Sequence, residues 1–382
     1  MKTYSKFLAA TSITFMLAGC SLLPNHSDKG KKEQKSTPIT KISSPVQYYP
    51  SATPFKEGVN RGQITSYLHS KLDIDEVELG LMELSQDEYD TDDYIYQEGQ
   101  LIDNDELDDW LKRSSTTDKG LNPPIKTKKD ASVDDKLKAE EDNPKYLAYV
   151  LEQDYLDKDG NVAGMSLGLV LHSTYYFKTT DSQGLIYNGS KKLSTQKAQE
   201  YGKKVAQKIV DQLRKKKDTK DLPIYFTLFQ ESNKGDILPG QFVSSNYIKG
   251  SGDKLGGWDD LNRKYYLFPS GAADKDQKEV AGQIGLFQDE LNKYYGKSRS
   301  MPVVAKGLFV DKNLQKLSVE IPVASMSKTE IISLSQFVAN MLTEGALPNH
   351  SIIEVKITAL DKIRSFILFD PNEDEPFIHV YD

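Results

Sequence analysis

Cysteine is almost absent: Cys20 is the only one among 382 residues. No intrachain disulfide can form, and if that thiol is committed elsewhere none remains for catalysis or for a metal. Long apolar runs are missing too. Beyond residue 20 nothing approaches the roughly 20 consecutive apolar residues that span a bilayer, so no membrane crossing is expected. The five histidines, His26, His69, His172, His350 and His379, are scattered without the spacing of a metal site. The sequence has no G-x-S-x-G nucleophile elbow, and the glycine-rich stretch 250–257 lacks the G-K-[ST] ending of a phosphate loop. No cofactor and no metal are expected. Between Leu72 and Leu111 there is no Lys or Arg at all.

What is present begins with a leader. Lys2 and Lys6 form a positive start, and Phe7 to Ala18 form an apolar core too short for a span. It ends in Leu17-Ala18-Gly19-Cys20, a lipobox: Leu17, Ala18 and Gly19 suit a signal peptidase, and the Cys20 thiol can carry a diacylglyceryl thioether. The expected product is a lipoprotein on the outer face of the cytoplasmic membrane, exposed to the cell wall, with palmitate-type chains as its anchor. At about 0.8 kcal/mol per buried CH₂, two or more chains hold effectively permanently. Removing Lys2 and Lys6 takes the net charge from −7 to −9, which argues against nucleic acid as a partner.

Segment 20–45 is Lys-, Ser- and Pro-rich and reads as a flexible tether. Segment 46–125 is acidic, with sixteen Asp and Glu between Leu72 and Leu111. Such a block could gather Ca²⁺, but Asp103-x-Asp105-x-Leu107 fails the EF-hand pattern, and interleaved apolar residues point to strands and a helix with acidic outer faces. Segment 126–145 is charged and is expected to be a linker or surface loop.

Two tandem units of ββαβ type follow, giving an α+β fold. In the unit at 146–250, Tyr146 to Gln153 and Met165 to Leu171 flank a turn at Asp157-Lys158-Asp159-Gly160. A helix near Ser194 carries Ala198, Tyr201, Val205, Ile209 and Leu213 on one face, and Ile224 to Phe229 is the next strand. In the unit at 301–382, Val303 to Val310 and Leu317 to Val323 form the hairpin. Ser327 and Glu330 form a capping box, and Ile352 to Ile357 follows the helix. Only the first unit carries an insertion, Ser173 to Lys192. Between the units, 251–300 is a Gly/aromatic connector ending in a helix from Asp274 to Gly296. Trp258, Arg263 and Tyr265 there are candidates for a sugar or peptide groove. Ser194-x-x-Lys197 and Ser325-x-x-Lys328 satisfy S-x-x-K, but without partner motifs they are better explained as helix caps.

The lipobox, Tyr48-Tyr49-Pro50, Asn60-Arg61-Gly62, Tyr96-Gln97-Glu98-Gly99-Gln100, the Gly-Gly-Trp segment and Tyr265 to Ser270 together resemble the CamS family of staphylococcal sex-pheromone lipoproteins. The resemblance implies a mature lipoprotein of undefined biochemical role. It also implies release of the last seven leader residues, Ile13-Thr14-Phe15-Met16-Leu17-Ala18-Gly19, as a hydrophobic peptide sensed by a receptor in recipient enterococci, which induces plasmid conjugation. The family pattern is Ala-Ile-Phe-Ile-Leu-Ala followed by Ala or Ser; Phe15, Leu17 and Ala18 match it, and Ile13, Thr14, Met16 and Gly19 depart from it. The mature part is therefore expected to be a non-enzymatic protein that binds an extracellular ligand or protein. The alternative is a cell-envelope hydrolase acting on peptidoglycan or peptide, with its site between the units.

Overall fold

The computed structural model describes residues 37–38, 47–128, 130–296 and 300–382. The leader, Cys20 and nearly all of the tether lie outside the described residues.

Strand β1 (Thr37–Pro38) pairs with β2 (Ala52–Thr53). Then come α1 (Ile64–Tyr67), α2 (Lys71–Leu84), β3 (Ile95–Glu98), α3 (Asn104–Leu111) and α4 (Val133–Asp142). Helix α2 starts at Ser70, whose hydroxyl accepts the Asp73 amide; Asp103 caps α3 in the same way. The acidic block thus folds as two helices and a strand. Its acids are not all on the outside: Asp73 and Glu76 are buried. The stretch 126–145, expected as a linker, holds α4, which Ser132 caps and which buries no residue.

The next stretch runs β4 (Leu147–Leu156), β5 (Val162–Leu171), β6 (Thr174–Thr180), β7 (Ile186–Lys192), α5 (Thr195–Leu213), β8 (Ile224–Gln230), β9 (Gln241–Ile248) and β10 (Asp259–Phe268). After α6 (Gly271–Asp276) and α7 (Lys278–Tyr295) come β11 (Val304–Val310), β12 (Asn313–Pro322), α8 (Lys328–Thr343), β13 (Ile352–Ala359), β14 (Lys362–Phe369) and β15 (Phe377–Val380). Eleven strands form one mixed sheet in the order β15-β14-β13-β12-β11-β10-β9-β8-β5-β4-β3. Only β5 with β8 and β12 with β13 are parallel. Each parallel step is made through a helix, as a crossover requires. The insertion 173–192 is a separate hairpin of β6 and β7.

The connector differs from its expected form. Asp259–Phe268 is a ten-residue strand that pairs with both β9 and β11 and so carries the sheet across the molecule. The helix expected from Asp274 is broken at Gln277 into α6 and α7, and Gly296 ends α7 at φ 69°.

Helix α5 buries Ala198, Val205, Ile209 and Leu213, and its Gly202 packs on Leu171 and Leu228 on one sheet face. Helices α7 and α8 share a second apolar cluster with β11 to β14, including Phe287, Leu334, Val338, Val355 and Ile357. Helix α2 lies on the face opposite α5, over Gly168 of β5 and Phe242 of β9. Among the described residues no helix is long and apolar enough to cross a membrane.

Candidate functional site

A cavity of about 200 Å³ lies between the 58–62 loop, α2, β3 and β4. Strand alternation puts Tyr96 and Glu98 of β3 on its wall. Beside them stand Tyr149, Leu151 and Glu152 of β4, and α2 contributes Glu78, Leu79 and Met82.

The loop is held by Glu98, which accepts the Gly58 amide at 2.6 Å and Arg61 Nη1 at 2.7 Å. Asn60 Nδ2 donates to the Ile102 carbonyl at 2.8 Å, while its Oδ1 is buried without a partner among the described residues. The Glu78 carboxylate forms no ion pair with a described residue. Burial, with Asp75 and Glu98 nearby, moves it above the usual range.

Behind this wall lies a carboxyl pair. Glu152 accepts the Leu101 and Ile102 amides at 2.9 and 3.0 Å, and Asp154 accepts the Gln100 amide at 2.9 Å. Desolvation raises both groups, and Asp154 is raised further by the charge of Glu152. The two carboxyls titrate as a pair: two amides favour the ionised form of Glu152, while the charge of Glu152 favours the protonated form of Asp154. Gly99 makes the turn possible, because a Cβ there would stand 2.6 Å from Glu152 Cβ. The pair thereby fixes the 99–102 backbone behind the cavity.

Of the three residues expected in one groove, Arg263 and Tyr265 meet at Glu76, and Trp258 does not join them. Arg263 is buried against α2, donating Nε to Glu76 at 3.0 Å and Nη2 to Glu83 at 2.7 Å. The Tyr265 hydroxyl donates to Glu76 at 2.6 Å. Trp258 stands at the other face, with Lys203 of α5 5.8 Å from its ring centre. Trp258 precedes β10, whereas Arg263 and Tyr265, two apart within it, face the same side. Of the S-x-x-K serines, Ser194 caps α5, accepting the Lys197 amide. On α8 the cap is Ser327, within a complete capping box, and Ser325 stands two residues ahead of it. Among the described residues no group of three or more His, Cys, Asp or Glu is placed to hold a metal ion.

Residues 55–375 match the family described as CamS sex pheromone cAM373 precursor. The chain belongs to the CamS family. It is similar to the C-terminal domain of the sex pheromone staph-cAM373 precursor from Staphylococcus aureus, with 28% identity and a TM-score of 0.69 over 83% of this chain and 98% of that one. It is also similar to a sex pheromone precursor from Lactobacillus salivarius subsp. salivarius UCC118, with 27% identity and a TM-score of 0.75 over 90% of this chain and 99% of that one. No curated protein matches. Two segments that carry the CamS resemblance, Asn60-Arg61-Gly62 and Tyr96 to Gly99, meet at the cavity. In the sequence Glu98 is a mark of kinship, and no site is named there. Glu78, Glu152 and Asp154 carried no signal of the site, because their partners come from distant parts of the chain.

Proposed function

We propose that this CamS-family protein is an exported lipoprotein, held on the outer face of the membrane by lipid on Cys20, whose folded part binds an extracellular ligand. The observation that carries the reading is Leu17-Ala18-Gly19-Cys20, which puts the only cysteine of the chain at the end of an apolar stretch too short to span. The family's description as a pheromone precursor supports a second product. The leader residues Ile13 to Gly19, short, apolar and uncharged, leave as a peptide that recipient enterococci sense. Binding takes place in the cavity beside β3, where the Glu78 carboxylate and Asn60 Oδ1 accept hydrogen bonds from a small ligand that donates them, over an apolar wall of Leu79, Met82 and Leu151.

The fold arose, in this reading, by duplication. Two stretches repeat one order of elements and pairings: β4, β5, α5, β8, β9, β10 and β11, β12, α8, β13, β14, β15. The hairpin β6–β7 was inserted in the first copy alone.

Mass spectrometry of the protein isolated from its own cells tests the anchor. The expected mature terminus is Cys20 bearing a diacylglyceryl group; an N-terminus that retains the leader, or an unmodified Cys20, contradicts it. For the peptide, synthetic Ile13–Gly19 at micromolar concentration is expected to cause clumping of plasmid-bearing recipient cells, and silence there removes that part.

A further inference from the structure

A second cavity, of about 460 Å³, opens where the parallel strands β5 and β8 end and α5 begins. In crossover folds this crevice, beyond the carboxyl ends of parallel strands, is where ligands collect. Here it is roofed by the loop 232–240. One buried carboxylate pins both ends of that loop: Asp73 Oδ2 accepts the amide and hydroxyl of Ser232 at 3.0 and 2.8 Å, and Oδ1 accepts the Gly240 amide at 2.6 Å. Between the pins the loop carries Ile237, 68% exposed, over the opening.

The floor is polar and has bonds to spare. Gln230 and Glu231 line the cavity, and each is only 6% exposed. Gln230 Oε1 accepts the Thr195 hydroxyl at 2.7 Å, and Glu231 Oε1 lies 2.7 Å from His172 Nδ1. Gln230 Nε2 and Glu231 Oε2 have no partner among the described residues. A donor and an acceptor that water now serves therefore stand on neighbouring residues of one cavity lining, free to exchange that water for a ligand.

We propose that this cavity binds a short uncharged saccharide. Charge on its lining balances, with Lys192 and Lys264 against Glu231 and Asp236, so it does not select a charged ligand. A sugar hydroxyl both donates and accepts, which suits an amide and a carboxylate side by side, and its CH faces suit Ile237 and Tyr265. The sheet strands at the cavity, β5, β8 and β9, are each paired on both sides and offer an extended peptide no edge, which leaves only the outer edge of β7 at Lys192. The volume lies within the range of small-molecule sites. This site is distinct from the cavity beside β3.

Calorimetry and saturation-transfer NMR on the purified full chain, with cellobiose, N,N′-diacetylchitobiose and trialanine as probes, test it. At least one disaccharide is expected to bind one-to-one with Kd below about 1 mM. Glu231→Gln is expected to weaken binding about ten-fold. Ile237→Ser, at an exposed lip position, is expected to weaken it with an unchanged melting temperature. The proposal is overturned if neither disaccharide binds at about ten times that concentration, if binding survives both substitutions, or if trialanine alone binds.

Discussion

Glu76 and Arg263 are both buried, and neither would be tolerated without the other. Burial pushes the Glu76 carboxyl up, and the Arg263 charge and the Tyr265 hydroxyl pull it back. Removing the cation leaves an uncompensated carboxylate inside the protein, so Arg263→Ala is expected to cost about 3–5 kcal/mol in urea unfolding. A loss below about 1 kcal/mol, the level of an exposed pair, would show that the pair is solvated. The Asp154 carboxyl acts in the opposite sense, as a stored proton. Its folded value is raised by burial and by Glu152, so the folded state keeps a proton that the unfolded chain releases above about pH 4. This contribution to stability is complete below about pH 4 and is lost as pH rises from there through the raised folded value. Asp154→Asn keeps a donor toward Glu152 without the titration. It is expected to flatten the decline of stability between acid and neutral pH; a slope equal to wild type would place the proton elsewhere.

Helix α8 shows how directly local chemistry sets an element. Ser327 accepts the Glu330 amide and Glu330 Oε2 accepts the Ser327 amide at 2.8 Å, which closes both orphan donors. Ser327→Ala is expected to lower stability by about 1 kcal/mol, measured as a fall in thermal midpoint; no change would mean the cap is redundant with packing. Elements of this kind were legible in the sequence: α5 by its three-and-four spacing, the β4–β5 turn by Asp157 and Gly160, and the end of α7 by Gly296. Strand β10 was not. Asp259, Asp260, Asn262, Arg263 and Lys264 hide its alternation, and the carboxylates that explain Arg263 lie 187 and 180 positions away. Helix α4 was missed for a related reason: with no buried residue it shows no apolar stripe. The cavity beside β3 was not legible: its lining comes from segments that the sequence marks as shared with the family but does not bring together. Asp73 and Glu76 read as surface acids because only the fold supplies the amides of Ser232 and Gly240 and the Arg263 guanidinium.

At the scale of the whole molecule, one mixed sheet of eleven strands carries α2 on one face and α5 on the other. Helix α2 crosses from Gly168 on β5 to Arg263 on β10, and it frames one side of the cavity beside β3. Recesses between the elements of the protein, beside β3 and at the ends of β5 and β8, suit the binding role proposed for it. Everything in that reading depends on whether Cys20 holds the body to the membrane. Fractionation of cells expressing wild type or Cys20→Ala is the most direct measurement. The account predicts wild type in the membrane fraction, released by detergent, and Cys20→Ala in the medium or retained as the uncut precursor; equal amounts of both proteins in the membrane fraction, with the leader removed from each, would contradict it.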